Sequence, residues 1–404
     1  MRLRKLSSLV LSTLLLSSFA LKAEENSTED KKVFITVDTD TVQFSEKKFG
    51  PRVETLESVD GISVLKIDES ALPWLSMFMH KDFKRCGGFM RHDSEAEARG
   101  LANGINEQAF AKHNLFVNYK IDQQNTVQPM IAQLKTDNLL ATITKLSSFK
   151  NRFYKGETGK QSAAWIKETW SSLVKGRSDA TVEYFNHSSW DQPSVILTIK
   201  GKSDETIVLG GHQDSINGWM TRATAKAPGA DDNASGIATI TEVIRVLMDN
   251  SYQPQKTIKF MAYAAEEVGL LGSKEVAADY KEKNVNVVGV MQLDMTNFKG
   301  SADLDIVMMK DYTNDEQNKF IGTIIDSYVP GVKWGYDKCG YACSDHASWT
   351  ANGYPASMPF ESKMAEYNGN IHTEKDTLAI SENNADHAIK FAKMALAYIV
   401  ELDR

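Results

Sequence analysis

The chain has 404 residues, of which 42% are hydrophobic and 25% are charged, and its formal net charge is −7. This length and composition exclude a fibrous or disordered chain, and they suffice for one large α/β domain of about 250–300 residues plus a smaller segment. A net negative charge does not attract a phosphate backbone, so we do not expect nucleic acid as a partner.

Residues 1–23 have the pattern of a secretory signal peptide. Basic residues at the start precede a short apolar run at residues 9–16, and Ala20 or Ala23 supplies a small residue for cleavage. The run is too short to anchor the chain in a bilayer, and no later apolar segment is long enough to do so. We therefore expect a soluble, secreted, extracellular protein without membrane association. An N-terminal core helix is the alternative for this segment.

The chain contains three cysteines, Cys86, Cys339 and Cys343. Export would place them in an oxidising compartment, where the close spacing of Cys339 and Cys343 favours a disulfide between them. A thiol redox or metal motif is the alternative, although redox pairs usually have two intervening residues. Cys86 has no partner that the sequence can identify.

Residues 24–125 are rich in charge and contain no cluster of His, Asp and Glu with the spacing of metal ligands. Alternating side chains at residues 33–37 predict a strand in a small separate unit. Because this unit lies between a signal peptide and a domain with catalytic residues, we interpret it as a prosegment, which would make the enzyme a zymogen. An accessory domain that stays attached is the alternative.

Residues 126–404 alternate between strands and amphipathic helices, which is typical of a sheet covered by helices. The predicted fold class is α/β, with a mixed, mostly parallel central sheet sandwiched by helices. Strands are predicted at residues 195–199, 206–209, 258–264, 287–293 and 306–309. Apolar residues at helical spacing predict helices over residues 163–174 and 235–248 and a closing helix around residues 389–399.

Acidic residues and a histidine follow three of the predicted strands directly. His212 and Asp214 come after the first of these strands, Glu266 and Glu267 after the second, and Asp294 at the end of the third. In an open α/β sheet, the carboxyl ends of the strands form the edge where binding sites are built. These five side chains are therefore expected at one edge.

Loops can bring Asp231, Asp232 and His372 to the same edge. Taken singly, such an acid is more often a helix cap or a solvated charge, and a lone histidine is usually structural. Gathered together, however, the carboxylates would repel one another strongly unless cations were bound among them. A metal is the simplest such cation.

Two histidines and several carboxylates without a thiolate suit zinc or a similar ion rather than calcium, which prefers oxygen ligands alone. A pair of ions about 3.5–4 Å apart needs one bridging carboxylate and further ligands on each side. The number of candidate residues is sufficient for one bridge, two histidines and two further carboxylates.

These residues lie in five short motifs: His212-Gln-Asp214, Pro228-Gly-Ala-Asp-Asp-Asn-Ala-Ser-Gly236, Ala264-Ala-Glu-Glu-Val-Gly269, Gln292-Leu-Asp-Met295 and Ile371-His-Thr373. Together the motifs resemble those of the M28 family of cocatalytic zinc aminopeptidases, especially its secreted bacterial leucyl aminopeptidase branch. Residues 339–349 and 358–363 strengthen the resemblance, which runs from about residue 130 to residue 402. It implies a zinc-exopeptidase-like fold and peptide substrates with a free N-terminus.

The resemblance also implies a ligand set for two zinc ions per chain. Asp232 would bridge the two ions. Asp294 would join His212 on one ion, and Glu267 would join His372 on the other.

Further roles follow from the same resemblance. Glu266 would be the general base, and Asp214 would accept a hydrogen bond from the far nitrogen of His212, which fixes the tautomer of a ligand imidazole. Tyr341 is similar to a tyrosine that helps to hold the tetrahedral intermediate. The peptide bond between residues 232 and 233 would be cis.

An apolar pocket for the N-terminal side chain is a further prediction, with core packing as the alternative. Its candidate residues are Met295, Met358, Phe360, Met364, Tyr367 and Ile371. They favour an apolar N-terminal residue, while the nearby Glu366 leaves a basic one open.

Three other functions use the same scaffold. A metallocarboxypeptidase or deacylase would need a cation to bind the substrate carboxylate, and the matched motifs contain no arginine. A glutaminyl cyclase would work with a single zinc ion. A non-catalytic binding protein would usually have lost ligands, whereas every expected position is filled here. We expect a monomer.

Overall fold

The structure, a computed structural model, describes residues 30–83, 85, 87–104, 119–218 and 222–404. The predicted signal peptide and Cys86 lie outside the described residues. Among the residues described, no helix has both the length and the apolar character needed to cross a bilayer.

Residues 30–104, which we call the N-terminal unit, contain an antiparallel sheet. Its strands are β1 (Lys32–Asp38), β2 (Val53–Val59), β3 (Ile62–Asp68) and β4 (Met90–His92), and its helices are α1 (Val42–Phe49), α2 (Leu72–Phe83) and α3 (Glu95–Gly104). The strand order is β2-β3-β1-β4. Alternate residues Val33, Ile35 and Val37 of β1 are buried in the core of this unit, as the sequence pattern predicts.

The rest of the chain forms a larger unit around a six-stranded sheet. Its strands are β5 (Ala180–Phe185), β6 (Ser194–Ile199), β7 (Glu205–His212), β8 (Thr257–Tyr263), β9 (Asn286–Gln292) and β12 (Ala356–Ser357). The order is β12-β9-β7-β8-β6-β5. Strands β7, β8, β9 and β12 run parallel, while β6 and β5 are antiparallel to their neighbours, so the sheet is mixed as predicted.

A second, three-stranded sheet lies beside the large one. It has the order β11-β10-β13 and consists of β10 (Ile306–Met309), β11 (Trp334–Asp337) and β13 (Pro359–Phe360). Strand β10 coincides with the last of the predicted strands. Its partners β11 and β13 have only four and two residues, which is too short for a strand pattern to be recognised in the sequence.

Helices cover the large sheet. They are α4 (Gln124–Ile131), α5 (Thr136–Ser147), α6 (Glu157–Leu173), α7 (Gly236–Asp249), α8 (Leu271–Glu282), α9 (Asp315–Tyr328), α10 (His346–Ala351) and α11 (Ala388–Leu402). Helices α7 and α11 pack together and bury the apolar faces that the sequence predicts. Helix α6 begins six residues before its predicted start, because Gly156 is extended and the polar first turns still form helix.

Gly236 positions the first turn of α7 against the end of β9. A Cβ atom at Gly236 would lie 2.3 Å from the carbonyl oxygen of Leu293 and 2.4 Å from Oδ1 of Asn233. Only glycine allows this approach, which brings the loop before α7 next to the residues that follow β9.

Replacing Gly236 with alanine should therefore destabilise the protein by about 1–3 kcal/mol, because the new methyl group overlaps a carbonyl oxygen in a packed interior. Thermal unfolding and denaturant titration measure the effect. Gly100→Ala is the matched control: an added Cβ there meets no atom within 4 Å in helix α3, so stability should stay the same or rise by about 0.5–1 kcal/mol. Equal stability in both variants would contradict the close approach at Gly236.

Candidate metal centre

Three parallel strands deliver charged side chains to one edge of the large sheet. His212 is the last residue of β7, Glu266 and Glu267 follow β8, and Asp294 follows β9. Because parallel strands end on the same side, these four residues meet there, as the sequence predicts. Their exposed fractions are all 5% or less.

Asp232 reaches the same edge from an irregular turn at Ala230–Ser235, just before α7. The peptide bond between Asp232 and Asn233 is cis. The side chain of Asn233 donates to the carbonyl oxygen of Leu293 at 2.9 Å and accepts from the backbone N–H of Met295 at 3.1 Å. These bonds tie the turn to the end of β9 on both sides of Asp294.

The side chains form two groups that share Asp232. In the first group, Nε2 of His212 lies 3.0 Å from Oδ1 of Asp232 and 3.2 Å from Oδ1 of Asp294. In the second, Nε2 of His372 lies 3.3 Å from Oδ2 of Asp232 and 2.6 Å from Oε2 of Glu267. Each Asp232 oxygen thus faces a different imidazole, which is the arrangement a bridging ligand requires.

The carboxylate oxygens of this centre lack ordinary partners. Both oxygens of Asp232 and both oxygens of Glu267 are buried, and among the described residues only the two imidazoles come close to them as donors. A buried carboxylate without a hydrogen bond or a bound cation is costly. Imidazole and carboxylate ligands in two such groups fit a pair of zinc ions, since each group offers one nitrogen and two oxygens.

The pKa values of these side chains reflect the excess of negative charge around them. Burial alone would lower the pKa of both imidazoles, yet the neighbouring carboxylates raise the pKa of His212 well above its usual value and that of His372 to about 10. Burial and the charge of Asp232 raise the pKa of Glu267 to about 7. In both groups, therefore, the imidazoles take up positive charge to offset the carboxylates.

Glu266 lies beside the first group without belonging to it. Its Oε2 is 4.0 Å from Nε2 of His212, is buried, and accepts no hydrogen bond. Burial raises the pKa of Glu266 well above its usual value, and the charge of Asp294 adds to this effect. A carboxyl group with a raised pKa next to a metal centre is suited to take up and release a proton.

Asp214 lies beneath His212 and Glu266. Nδ1 of His212 donates to the backbone carbonyl of Asp214 at 3.2 Å, while the carboxylate Oδ1 is 3.5 Å away. The orientation of the ring is thus set by the main chain of Asp214 in the first place. The carboxylate instead accepts from the backbone N–H groups of Glu266 and Glu267, at 3.0 Å and 3.3 Å.

Three non-glycine residues with left-handed backbone angles flank or provide candidate ligands. Ala265, directly before Glu266, has φ 57°, Met295, directly after Asp294, has φ 59°, and His372 itself has φ 58°. This region is uncommon for residues with a Cβ atom and usually persists only where the surroundings demand it. Here the sharp turns direct the neighbouring side chains over the end of the sheet.

The predicted pocket residues come together around Tyr341. One apolar cluster contains Tyr341, the disulfide of Cys339 and Cys343, and the candidate residues Met295, Met358, Phe360, Met364, Tyr367 and Ile371. Met364 is only partly buried and Ile371 is fully buried, so the cluster has an inner core and an accessible rim. Glu366 is exposed, and its carboxylate contacts Ser301.

Two buried charged residues near the centre could not be identified as site residues from the sequence. Arg152 is fully buried and donates to the carbonyl oxygens of Gln213 and Gly229, at 2.8 Å and 2.9 Å, so it holds the chain directly after His212 and three residues before Asp232. Asp345 is also buried and accepts from Gln292 at 2.9 Å. A single arginine before a helix and a single acid in a loop are both common in sequences. Only the fold shows that Arg152 and Asp345 are buried near the centre.

The chain is similar to known peptidases. A model of peptidase family M28 matches residues 194–397. A probable leucine aminopeptidase 1 of Trichophyton verrucosum is 41% identical over 297 residues, which cover 70% of this chain and 78% of that protein.

Solved structures are similar over nearly the whole chain. The crystal structure of LapB from Legionella pneumophila has a TM-score of 0.79 and 30% identity, covering 92% of this chain and 100% of that one. The LapA aminopeptidase of the same organism has a TM-score of 0.78 and 26% identity over 93% of this chain and 99% of its own. The chain therefore belongs to peptidase family M28, and it is a hydrolase of the metalloaminopeptidase class.

Proposed function

We propose that this chain is a secreted aminopeptidase that removes apolar N-terminal residues from peptides with two zinc ions and Glu266 as the general base. The observation that carries the proposal is the shared position of Asp232, which offers one oxygen to each of two histidine and carboxylate pairs. The signal-like pattern of residues 1–23 supports secretion.

The ligands divide between the two ions according to distance. His212 and Asp294 would hold one ion and His372 and Glu267 the other, with Asp232 between them. When bound, two such ions lower the pKa of a water molecule and polarise the carbonyl group of the scissile bond. The burial of the ligands keeps bulk water from competing with these interactions.

Glu266 and Tyr341 supply the remaining chemistry. Glu266 lies close to the first group without a hydrogen bond on Oε2, so this oxygen is available to take a proton from water and return it to the leaving amine. The Tyr341 side chain lies in the apolar cluster next to the metal centre. Its hydroxyl group can donate to an oxygen that becomes negative during the reaction.

The apolar cluster around Tyr341 supports a preference for an apolar N-terminal side chain. Met358, Phe360 and Met364 present sulfur and ring atoms, and partial burial leaves Met364 accessible at the rim. Methionine side chains adapt to ligands of different shape. The similarity to a protein named a leucine aminopeptidase points to the same preference.

We further propose that the N-terminal unit is a prosegment that limits access to the centre. The guanidinium group of Arg85 lies 5.7 Å from the ring centroid of Tyr341 and forms ion pairs with Asp38 and Asp40, at 3.5 Å and 2.7 Å. A Cβ atom on Gly340 would lie 2.8 Å from Oδ2 of Asp38. The unit thus rests on the loop that carries Tyr341.

The same unit also contacts the segment that follows Glu266 and Glu267. The backbone N–H of Arg91 donates to the carbonyl oxygen of Gly269 at 3.4 Å. Nζ of Lys274 lies 3.0 Å from carboxylate oxygens of both Asp93 and Glu97. The N-terminal unit thus contacts both the Tyr341 loop and the segment after Glu267, as an inhibitory segment would.

Glu266→Ala should lower kcat by about 10²–10⁴-fold while both zinc ions stay bound, because the variant loses the proton acceptor and no ligand. Hydrolysis of leucyl-p-nitroanilide and zinc content per chain measure the two effects. Glu282→Ala, at an exposed position of α8, is the matched control and should keep full activity. Activity near that of the wild type in the Glu266 variant would remove this residue from the mechanism.

Removal of the metal should destabilise the protein, because the carboxylates of the centre would then repel one another. Chelator treatment should lower the unfolding midpoint, and zinc should restore it. For one ion at a free concentration 100 times its Kd, the gain is about 2.7 kcal/mol. Calcium serves as the control and should restore little, since the two imidazoles are poor ligands for it. A midpoint that is indifferent to chelator would contradict a metal centre.

Arg85→Ala should raise kcat/KM of the intact chain, because it loosens the contact with the Tyr341 loop. If that contact contributes about 1.4 kcal/mol, the open form becomes about tenfold more populated. Arg99→Ala is the matched control: Arg99 pairs with Glu57 and Glu95 within the N-terminal unit, so its loss should leave activity unchanged. Unchanged activity in the Arg85 variant would argue for an accessory domain instead.

A further inference from the structure

Two pairs of consecutive acidic residues in the centre have the same kind of support. The carboxylate of Asp214 accepts from the backbone N–H groups of both Glu266 and Glu267. On the other side of the centre, Oδ1 of Asp376 accepts from the N–H of Asp231 at 3.2 Å, and Oδ2 accepts from the N–H of Asp232 at 3.1 Å. In each case one carboxylate fixes two successive peptide groups.

Asp376 also belongs to the segment that carries His372. Asp376 lies four residues after His372, and its backbone carbonyl accepts from the N–H of Ala230 at 3.1 Å. The side chain of Asn368 donates to Oδ1 of Asp376 at 3.1 Å and to Asp231 at 3.2 Å. These bonds connect the loop of His372 directly with the turn that presents Asp232.

This connection bears on the bridging carboxylate, because among the described residues only the two imidazoles come close to the oxygens of Asp232 as donors. With metal bound, neither imidazole nitrogen could donate to this carboxylate, so the peptide groups around Asp232 would have to fix its orientation. Arg152 holds the preceding part of the turn through the carbonyl oxygens of Pro228 and Gly229. At Asp232 itself, the N–H group bonds to Asp376.

A buried carboxylate at position 376 lowers the stability of the fold, which suggests that it is kept for a functional role. Asp376 is only 1% exposed and lies next to Asp231 and Asp232, both also buried. Burying a third carboxylate beside two others costs free energy. An asparagine would have a single acceptor oxygen, so it could not accept from both N–H groups in the same way.

We propose that Asp376 is a positioning residue that sets the bridging carboxylate of Asp232 against His372 and thereby determines the affinity for the second zinc ion. The ion concerned is the one held by His372 and Glu267. This inference rests on the two-ion site proposed above. It assigns to Asp376 a role in metal binding and not in contact with substrate.

The test is a calorimetric zinc titration of the metal-free full-length protein and its Asp376→Asn variant. The wild type should bind two ions. In the variant, the affinity for the second ion should fall by about 10–100-fold, with the first affected far less. With cobalt, the visible absorption of the second bound ion should likewise appear only at higher concentration. This spectroscopic change does not depend on turnover.

Asp403→Asn is the matched control. Asp403 is 5% exposed and accepts from the backbone N–H groups of Gln255 and Lys256, at 3.0 Å and 2.6 Å, so it makes the same kind of contact outside the metal centre. Its replacement should lower the unfolding midpoint and leave both zinc affinities unchanged. A metal-binding effect in the Asp376 variant alone then separates positioning from general destabilisation.

Asp376→Glu covers the case in which the asparagine variant does not fold. It keeps both acceptor oxygens but moves them by one methylene, so the affinity for the second zinc ion should fall by less than in Asp376→Asn. Unchanged affinity for this ion in both variants would overturn the proposal. An equal loss for both ions would overturn it as well. A wild type that binds one ion only would refute the two-ion site, and the role of Asp376 with it, so the two failures are distinguishable.

Discussion

The repulsion among buried carboxylates is the constraint on which the rest of this structure depends. Asp232, Glu266, Glu267 and Asp294 all lie at one sheet edge with exposed fractions of 5% or less. Only bound cations or protons make such a concentration of charge tolerable. The parallel strands β7, β8 and β9 create the concentration because their ends coincide, and the two imidazoles complete it with ligands that bind zinc.

Around this centre, hydrogen bonds to main-chain N–H groups hold residues whose side-chain oxygens have few hydrogen-bond donors nearby. Among the described residues, only the two imidazoles come close to the oxygens of Asp232 and Glu267 as donors. Their backbones are instead held by Asp214 and Asp376. The candidate ligands are thus held through their backbones, which is the condition for a preorganised site.

Much of the site could be predicted from the sequence because its residues follow strands whose apolar patterns are strong. His212 ends a strand, and Asp294 and Glu267 follow strand ends by two and four residues, so the alternation of strands and helices places them at one edge. Arg152 and Asp376 could not be predicted in this way. Their roles arise from long-range contacts with backbone groups, and a side chain that binds peptide groups needs no particular neighbours in sequence. The contact of Arg85 with Tyr341 could not be predicted from the sequence for the same reason.

The left-handed backbone angles of Ala265, Met295 and His372 also limit where substitutions can make this enzyme more stable. Each such residue costs on the order of 1–3 kcal/mol of folding stability. The backbone geometry at this edge of the sheet therefore lowers the resistance of the fold to heat. Glycine would relieve the steric cost at Ala265 but would loosen the turn that aims its neighbour. Greater heat tolerance in this lineage is therefore expected to come from substitutions in helices and loops remote from the centre.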